Sequence, residues 1–536
     1  MSPSPDSRPL HRRLALASLA LTAAALTGCQ TYTAQTAEQD TAVRTGSVAA
    51  AVDIANKRAD AEKNTVNTVV VRLEQGAILR QAALANIPYT PPPAPPAPAA
   101  NLGTATTATQ TETNVAIQAP AEPALPPERV YLRQSLAAFD LAEEKVNDYE
   151  EQAKVKLGSE AGSLLTNQQN MPYRGHAYDK VMMNAYKALN YIQLGDKDGA
   201  RVELNRALQR QRDAVAENAK RIEDAQQAAQ EAKDGKATSE SGKTGAVDVD
   251  KAKADPKSGP AFAQVEADLN SQIKAYGDYV NPFVVFLDGL FFLANAENNA
   301  DLERARKSIE RVAGMAPDNT FIKDDLAAAE AAANGKLPTG LTYVIFETGA
   351  APFRDQLRID IPVFLVTGKL SYAGAAFPKL KFQSDYVPAL RVSAGADAFT
   401  SSTICSMDSV IALDFKNDWW PMVTKTIIAT TLKASVDAVV QKQAGDRLGF
   451  AAGLAAKALT VAAGASLNIA DTRTWRSLPK EFQYVRLVTP ADRKLTLEAA
   501  GQTQSLDLVA GSINVVYVKS TNATGPLLVD QFALKP

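Results

Sequence analysis

A general base, a metal ligand or the partner of a nucleophile calls first for histidine, and this 536-residue chain has two. His11 lies in an N-terminal stretch that reads as a cleaved leader, so the mature chain keeps His176 alone. That excludes His-pair zinc sites and leaves His176 as the only base for a Ser-His-Asp or Cys-His arrangement. It stands among Tyr173, Arg174, Gly175 and Tyr178, a setting that suits a packing or surface role, and no G-x-S-x-G elbow occurs. Ser241-Gly242-Lys243-Thr244 resembles the end of a phosphate-binding loop. The glycine required five positions before Gly242 is replaced by Ala237, and no apolar strand precedes it. Adjacent acids such as Glu143-Glu144 and Asp324-Asp325 diverge on a helix and read as solvated faces. Asp471, Arg473 and Trp475 form the most unusual local string. Arginine beside tryptophan can hold a carboxylate or a sugar face. The same residues can make a corner in which Asp471 pairs with Arg473 and Trp475 fills the core, the reading preferred next to a helix-to-strand transition. No dinucleotide fingerprint follows a strand. The expectation is a protein without a catalytic constellation, a metal or a cofactor. A net charge of −2 gives no case for nucleic acid.

The other chemistry-bearing residues are the two cysteines. His11, Arg12 and Arg13 form a basic region, and 14–26 is an apolar run too short to span a bilayer. Leu26-Thr27-Gly28-Cys29 resembles the lipobox of bacterial lipoproteins. That resemblance implies a signal peptide over 1–28 and acylation of Cys29, and two or more acyl chains anchor stably where one does not. Gln30, where an inner-membrane retention signal favours Asp, implies the outer membrane, with the chain facing the periplasm. The stretch 448–470 is built from Ala and Gly around Lys457 and does not read as a span. Cys405 is left without a partner and is expected to be a buried small hydrophobe.

The elements that would carry these residues begin with helices. In 181–212, Ala188, Tyr191, Gly195, Ala200, Leu204 and Ala207 follow the frame A-x2-Y-x3-G-x4-A-x3-L-x2-A, which puts small residues where two helices cross. Such a hairpin needs stacked neighbours. One is predicted from 29–87, where Gly76 lies on one side of a helix, together with Ser135, Phe139 and Ala142 across a Pro/Ala/Thr-rich insertion at 88–127 that should be disordered. Another combines Gly289 with Ala305, Ile309 and the closing Pro317. The helical region thus runs over 128–336, interrupted by a Lys/Asp/Ser/Gly-rich loop at 234–259 that is also expected to be disordered.

After 337 the period alternates. LTYVIFET, LRIDIPVFLV, PALRVSA, QYVRLVT, KLTLEA, QSLDLVA, INVVYVK and LLVDQFAL read as short strands, with Pro362 marking an edge or bulge. The expectation for 337–536 is an α+β domain with an antiparallel sheet or small sandwich and a helical insert at 419–469. The fold class is therefore multidomain: all-α, tetratricopeptide-like helical repeats followed by that α+β part.

LEQGAILRQ with SLAAFDLAEE, MNAYKALNYIQLGDKDGARVELNRA and ADTRTWRSLP together resemble a family of uncharacterised bacterial outer-membrane lipoproteins with tetratricopeptide repeats. The resemblance implies architecture and location, and it carries no catalytic residues. The insertion at 88–127 departs from the short turn of that pattern. The functional expectation is a lipid-anchored envelope scaffold or adaptor that binds a protein or peptide partner through its repeats. The alternative is an accessory part of an envelope machine, in activation of peptidoglycan synthesis or in polysaccharide export. An envelope hydrolase or glycan-binding protein ranks third.

Overall fold

Helical period governs the chain up to residue 333, and the computed structural model describes residues 31–89, 126–155, 168–238, 244–364, 370–448 and 469–536. The leader at 1–28, Cys29 and nearly all of the Pro-rich insertion therefore lie outside the described residues. The helices are α1 (Tyr32–Gln35), α2 (Ala37–Arg44), α3 (Val48–Ala61), α4 (Thr68–Leu84), α5 (Pro127–Val155), α6 (Ala177–Gln193), α7 (Lys197–Lys233), α8 (Val249–Lys253), α9 (Gly259–Asn270), α10 (Pro282–Ala294), α11 (Asn299–Met315) and α12 (Thr320–Ala333). Side-chain caps start several of them. Asp196 accepts from the Gly199 N–H ahead of α7, Asn281 from Val284 with Pro282 opening α10, and Asn319 from Phe321 and Ile322 at α12.

Three helix pairs form as the spacing of small residues requires. Between α4 and α5, a Cβ on Gly76 would stand 2.5 Å from the Phe139 ring, and the Ser135 hydroxyl donates to the Gly76 carbonyl at 2.6 Å. Ala142 is fully buried on the same face. Between α6 and α7, Ala188, Ala200, Leu204 and Ala207 are completely buried, Tyr191 packs against Gly199, and Gly195 turns the chain with φ +80°. Between α10 and α11, Gly289 admits Ile309, Ala305 is buried, and Pro317 follows two residues after the helix ends. Among the described residues, no helix is long and apolar enough to cross a membrane.

The strands are β1 (Leu341–Thr348), β2 (Phe353–Phe364), β3 (Leu370–Lys381), β4 (Arg391–Ala394), β5 (Asp397–Thr400), β6 (Ser402–Ser406), β7 (Glu481–Val488), β8 (Lys494–Ala499), β9 (Gln502–Asp507), β10 (Ile513–Ser520) and β11 (Leu528–Lys535). Five of them form a sheet in the order β11-β10-β1-β7-β6, and β5-β4-β8-β9 form an antiparallel second sheet. One pair departs from the antiparallel expectation: β1 and β10 run parallel in register from Leu341 opposite Ile513 to Thr348 opposite Ser520. Both strands are buried along their whole length, as central strands covered on two faces must be. On one face Val344, Phe346, Val485, Leu487, Val516 and Val518 meet Val392, Leu495 and Leu497 of the smaller sheet, which makes a sandwich.

Among the described residues, the opposite face of the large sheet has no sheet partner. Tyr343, Ile345, Phe482, Tyr484, Val515 and Tyr517 pack there into one continuous core with α3–α6 and α10–α12. Phe283 of α10 stacks on Phe482 with ring centroids 3.7 Å apart, and Phe286 meets Tyr484 at 4.6 Å. The change of period at 337 marks where the strands begin along the chain, whereas the core runs across it.

A second core lies where the paired strands β2 and β3 pack on α13 (Met407–Leu448), with Phe262, Ile361, Phe377, Trp419, Val423 and Ile427 inside. Pro362 is paired with Tyr372 in this two-stranded ribbon, whose outer edge has no ladder to lose. Two expectations are corrected here. The helical insert starts at Met407, directly after β6, not at 419, and 449–468 lie outside the described residues. The loop at 234–259 is not disordered over 244–259: Val247, Val249 and Ala252 are buried in this core, and Asp248 caps α8 by accepting from Lys251 at 3.0 Å. Few as they are, these apolar residues land on a surface already built by Phe262, Trp419 and α7.

Candidate functional site

Asp471, Arg473 and Trp475 come together as a packed corner. Trp475 is fully buried between Phe139 and Tyr186, each 5.8 Å away, and donates to the Ser477 hydroxyl at 2.9 Å. Arg473 gives Nε and Nη2 to Asp471 at 2.8 and 2.6 Å, and Nη1 to the carbonyls of Met171 and Val66 at 2.8 and 3.2 Å. Its guanidinium is spent inside the chain. The same segment fastens the N-terminal helices: the Tyr32 N–H donates to Thr472 Oγ1 at 3.1 Å, and Arg476 pairs with Asp40 while its N–H donates to Glu74. Burial pushes the Glu74 carboxyl up to about 7.

The unsatisfied chemistry lies elsewhere, around His176. This residue is the N-cap of α6, and Asp179 in the first turn accepts its N–H at 2.8 Å as well as the Tyr173 hydroxyl. Tyr173 meets the imidazole edge-on and Tyr178 stacks on it, both at 5.3 Å. Asp414 and Asp418, four residues apart on α13, share one helix face and point at the ring. One donor atom from each of His176, Asp414 and Asp418 lies within 4.8 Å of the other two. Arg221 of α7 binds Asp418 at 2.7 Å, and Arg354 of β2 brings Nη2 to 3.3 Å from His176 Nδ1.

This cluster contains an orphan. Asp414 is 3% exposed, and neither of its carboxylate oxygens has a hydrogen-bond partner. His176 Nε2 is likewise buried and unpartnered. Groups left in that state cost stability, so native proteins rarely leave them without a purpose or a ligand. Burial, reinforced by Arg354 and Arg221, holds the imidazole well below its ordinary range and so neutral. Burial and the adjacent Asp418 raise the Asp414 carboxyl well above the usual carboxylate range. In the sequence His176 suits a packing or surface role, and neither acid belongs to a motif. The signal available was a pair of carboxylates at helical spacing within the apolar run Val410, Ile411, Ala412, Phe415 and Trp419.

A third feature is open to solvent. Asn205, Arg206, Leu208, Gln209 and Arg212 of α7 face Arg304 of α11 across a surface cleft. Arg304 is held by Asp288 and by Asn205, and lies 3.9 Å over the Phe292 ring. Arg206 and Arg212 stay at the rim, paired with Glu203 and Gln209. Family models, characterised proteins and solved structures yield no match to this chain.

Proposed function

We propose that this protein is a lipid-anchored adaptor of the cell envelope that holds a protein or peptide partner on its helical hairpins, which we read as tetratricopeptide-like repeats. The observation that carries the reading is the cleft between α7 and α11, where three arginines and Leu208 face solvent between successive hairpins. Guanidinium groups around a single leucine suit a segment rich in Asp or Glu with an interspersed aliphatic side chain. The packed corner at Asp471, Arg473 and Trp475, with its donors already engaged, favours a scaffold over a glycan-binding enzyme.

The anchor reading rests on the lipobox-like string, and the N-terminal packing gives it a consequence. Thr31 follows Cys29 by two residues, and Tyr32 is already buried against Thr472. Two residues span at most roughly 7 Å. Acyl chains on Cys29 would then hold the folded body directly against the bilayer surface, with no long tether.

The test is crosslinking in intact envelopes followed by capture of wild type and of an Arg206→Glu/Arg212→Glu variant. A partner captured by wild type and lost in the variant, with binding that weakens as salt rises, is the expected result. Capture of the same proteins by both chains removes the cleft from the reading. A peptidoglycan synthase or an export component among the specific partners would make the adaptor part of that machine.

A further inference from the structure

We infer that His176, Asp414 and Asp418 bind one divalent transition-metal ion of the zinc and manganese class. One imidazole nitrogen with two carboxylates is a mixed donor set. It suits zinc, manganese or cobalt better than calcium or magnesium, which favour all-oxygen shells. The three donor atoms already lie within 4.8 Å of one another. With metal–ligand bonds of about 2.1 Å, donors in a tetrahedral or octahedral shell sit about 3 to 3.4 Å apart. Small torsions of the Asp414 and Asp418 side chains on α13 close that gap, because both project from the same face of the helix.

The orphaned state of Asp414 is the independent observation. Both of its oxygens are buried without partners. A proton on Asp414 shared with Asp418 or with the neutral imidazole serves only one of its two oxygens, whereas an ion held among the three side chains engages all of them at once. A cation satisfies it directly. The imidazole is fixed in place by the stack on Tyr178 and the edge of Tyr173, the kind of outer-shell support that orients metal ligands.

Arg354 acts as the competitor. When Nε2 ligates the ion, the ring proton sits on Nδ1, which now faces Arg354 Nη2 at 3.3 Å, donor against donor. The guanidinium has to turn aside over the Phe415 ring, whose centroid is 5.0 Å away. Removing it should therefore tighten ion binding, an effect that a purely structural role for the cluster does not produce.

The test uses the full chain, purified without an affinity tag and stripped with a chelator. Titration with Co2+ is expected to give visible ligand-field bands that saturate at one ion per chain and are displaced by Zn2+. Zn2+ should raise the thermal midpoint, whereas Mg2+ and Ca2+ at the same concentration should leave it unchanged. Asp414→Asn and His176→Gln should each weaken Zn2+ binding at least about 100-fold, and Arg354→Met should strengthen it. The inference is overturned if wild type gives neither cobalt bands nor a zinc-dependent shift, or if Asp414→Asn and His176→Gln bind zinc as tightly as wild type. Should a variant fail to fold, the cobalt spectrum of the wild-type chain still decides.

Discussion

Replacing Gly76 by valine probes the contact on which the joining of helices to sheet depends. A Cβ at this position would lie 2.5, 2.6 and 2.7 Å from three atoms of the Phe139 ring. Ordinary carbon–carbon contact is about 3.5–4.0 Å, so the ring must retreat by about 1 Å for the Cβ alone. It has nowhere to go, because Phe139 is fully buried between Tyr186 and Trp475, at centroid distances of 6.3 and 5.8 Å. Overpacking of this kind costs about 1–3 kcal/mol. The two γ-methyl groups of valine push the cost to the upper part of that range. Valine returns only about 0.3 kcal/mol in helix propensity over glycine, and the net expectation is a loss of about 2–3 kcal/mol. Urea unfolding followed by two probes reads it out. Far-UV circular dichroism follows mainly the helices, whereas all three tryptophans, Trp419, Trp420 and Trp475, lie beyond residue 400. Because Trp475 and the large sheet share a core with α4 and α5, both transitions should move together to lower urea. A shift in the dichroism with unchanged fluorescence would refute the shared core. An unchanged midpoint in both would mean that Phe139 yields without cost.

Other consequences can be tested on the same preparation. Glu347→Gln keeps an amide oxygen for Lys519 but removes its buried countercharge, 2.7 Å away in the wild type, so a loss of about 3–5 kcal/mol is expected, partly recovered by adding Lys519→Met. A loss under about 1 kcal/mol would show that water reaches the site. Burial raises Glu74 to about 7 and Asp325 and Asp408 to about 6, above unfolded values of roughly 4. The stability these carboxyls add is fully present below about pH 4 and is lost as the pH rises through 6 to 7. The thermal midpoint should therefore rise from pH 8 to about pH 5.5, opposed below about 6.5 by the neutral His176 and below about 4.5 by depressed carboxyls such as Glu347. A midpoint that falls steadily over that interval contradicts it. Cys29→Ala should move the protein from washed membranes to the soluble fraction, and a variant that stays membrane-bound would remove the acyl anchor from the reading.

Sequence alone determined what depends on neighbours along the chain. Helix crossings at Gly76, at Ala200 with Ala207, and at Gly289 follow from small residues at helical spacing, and the partner helix comes next in the chain. Caps at Asp196, Asn281 and Asn319 need only three or four residues. Alternation likewise revealed most strands, since a side-chain period of two is a local property. β3 was hidden because Gly374 and Pro378 interrupt its pattern, and it becomes a strand only against β2. Tertiary structure alone decided the rest. Nothing local tells that β1 pairs in parallel with β10, more than 160 residues later, or that the uncovered face of their sheet is closed by α10 and α12. The sparse apolar side chains of 244–259 order themselves only because Trp419 and Phe262 offer a surface. His176 and the acids of α13 are more than 230 residues apart and carry no shared motif. Burial is what gives them chemistry: it removes water from Asp414 and from the inward imidazole nitrogen, and that removal is settled only when β2, α6, α7 and α13 meet.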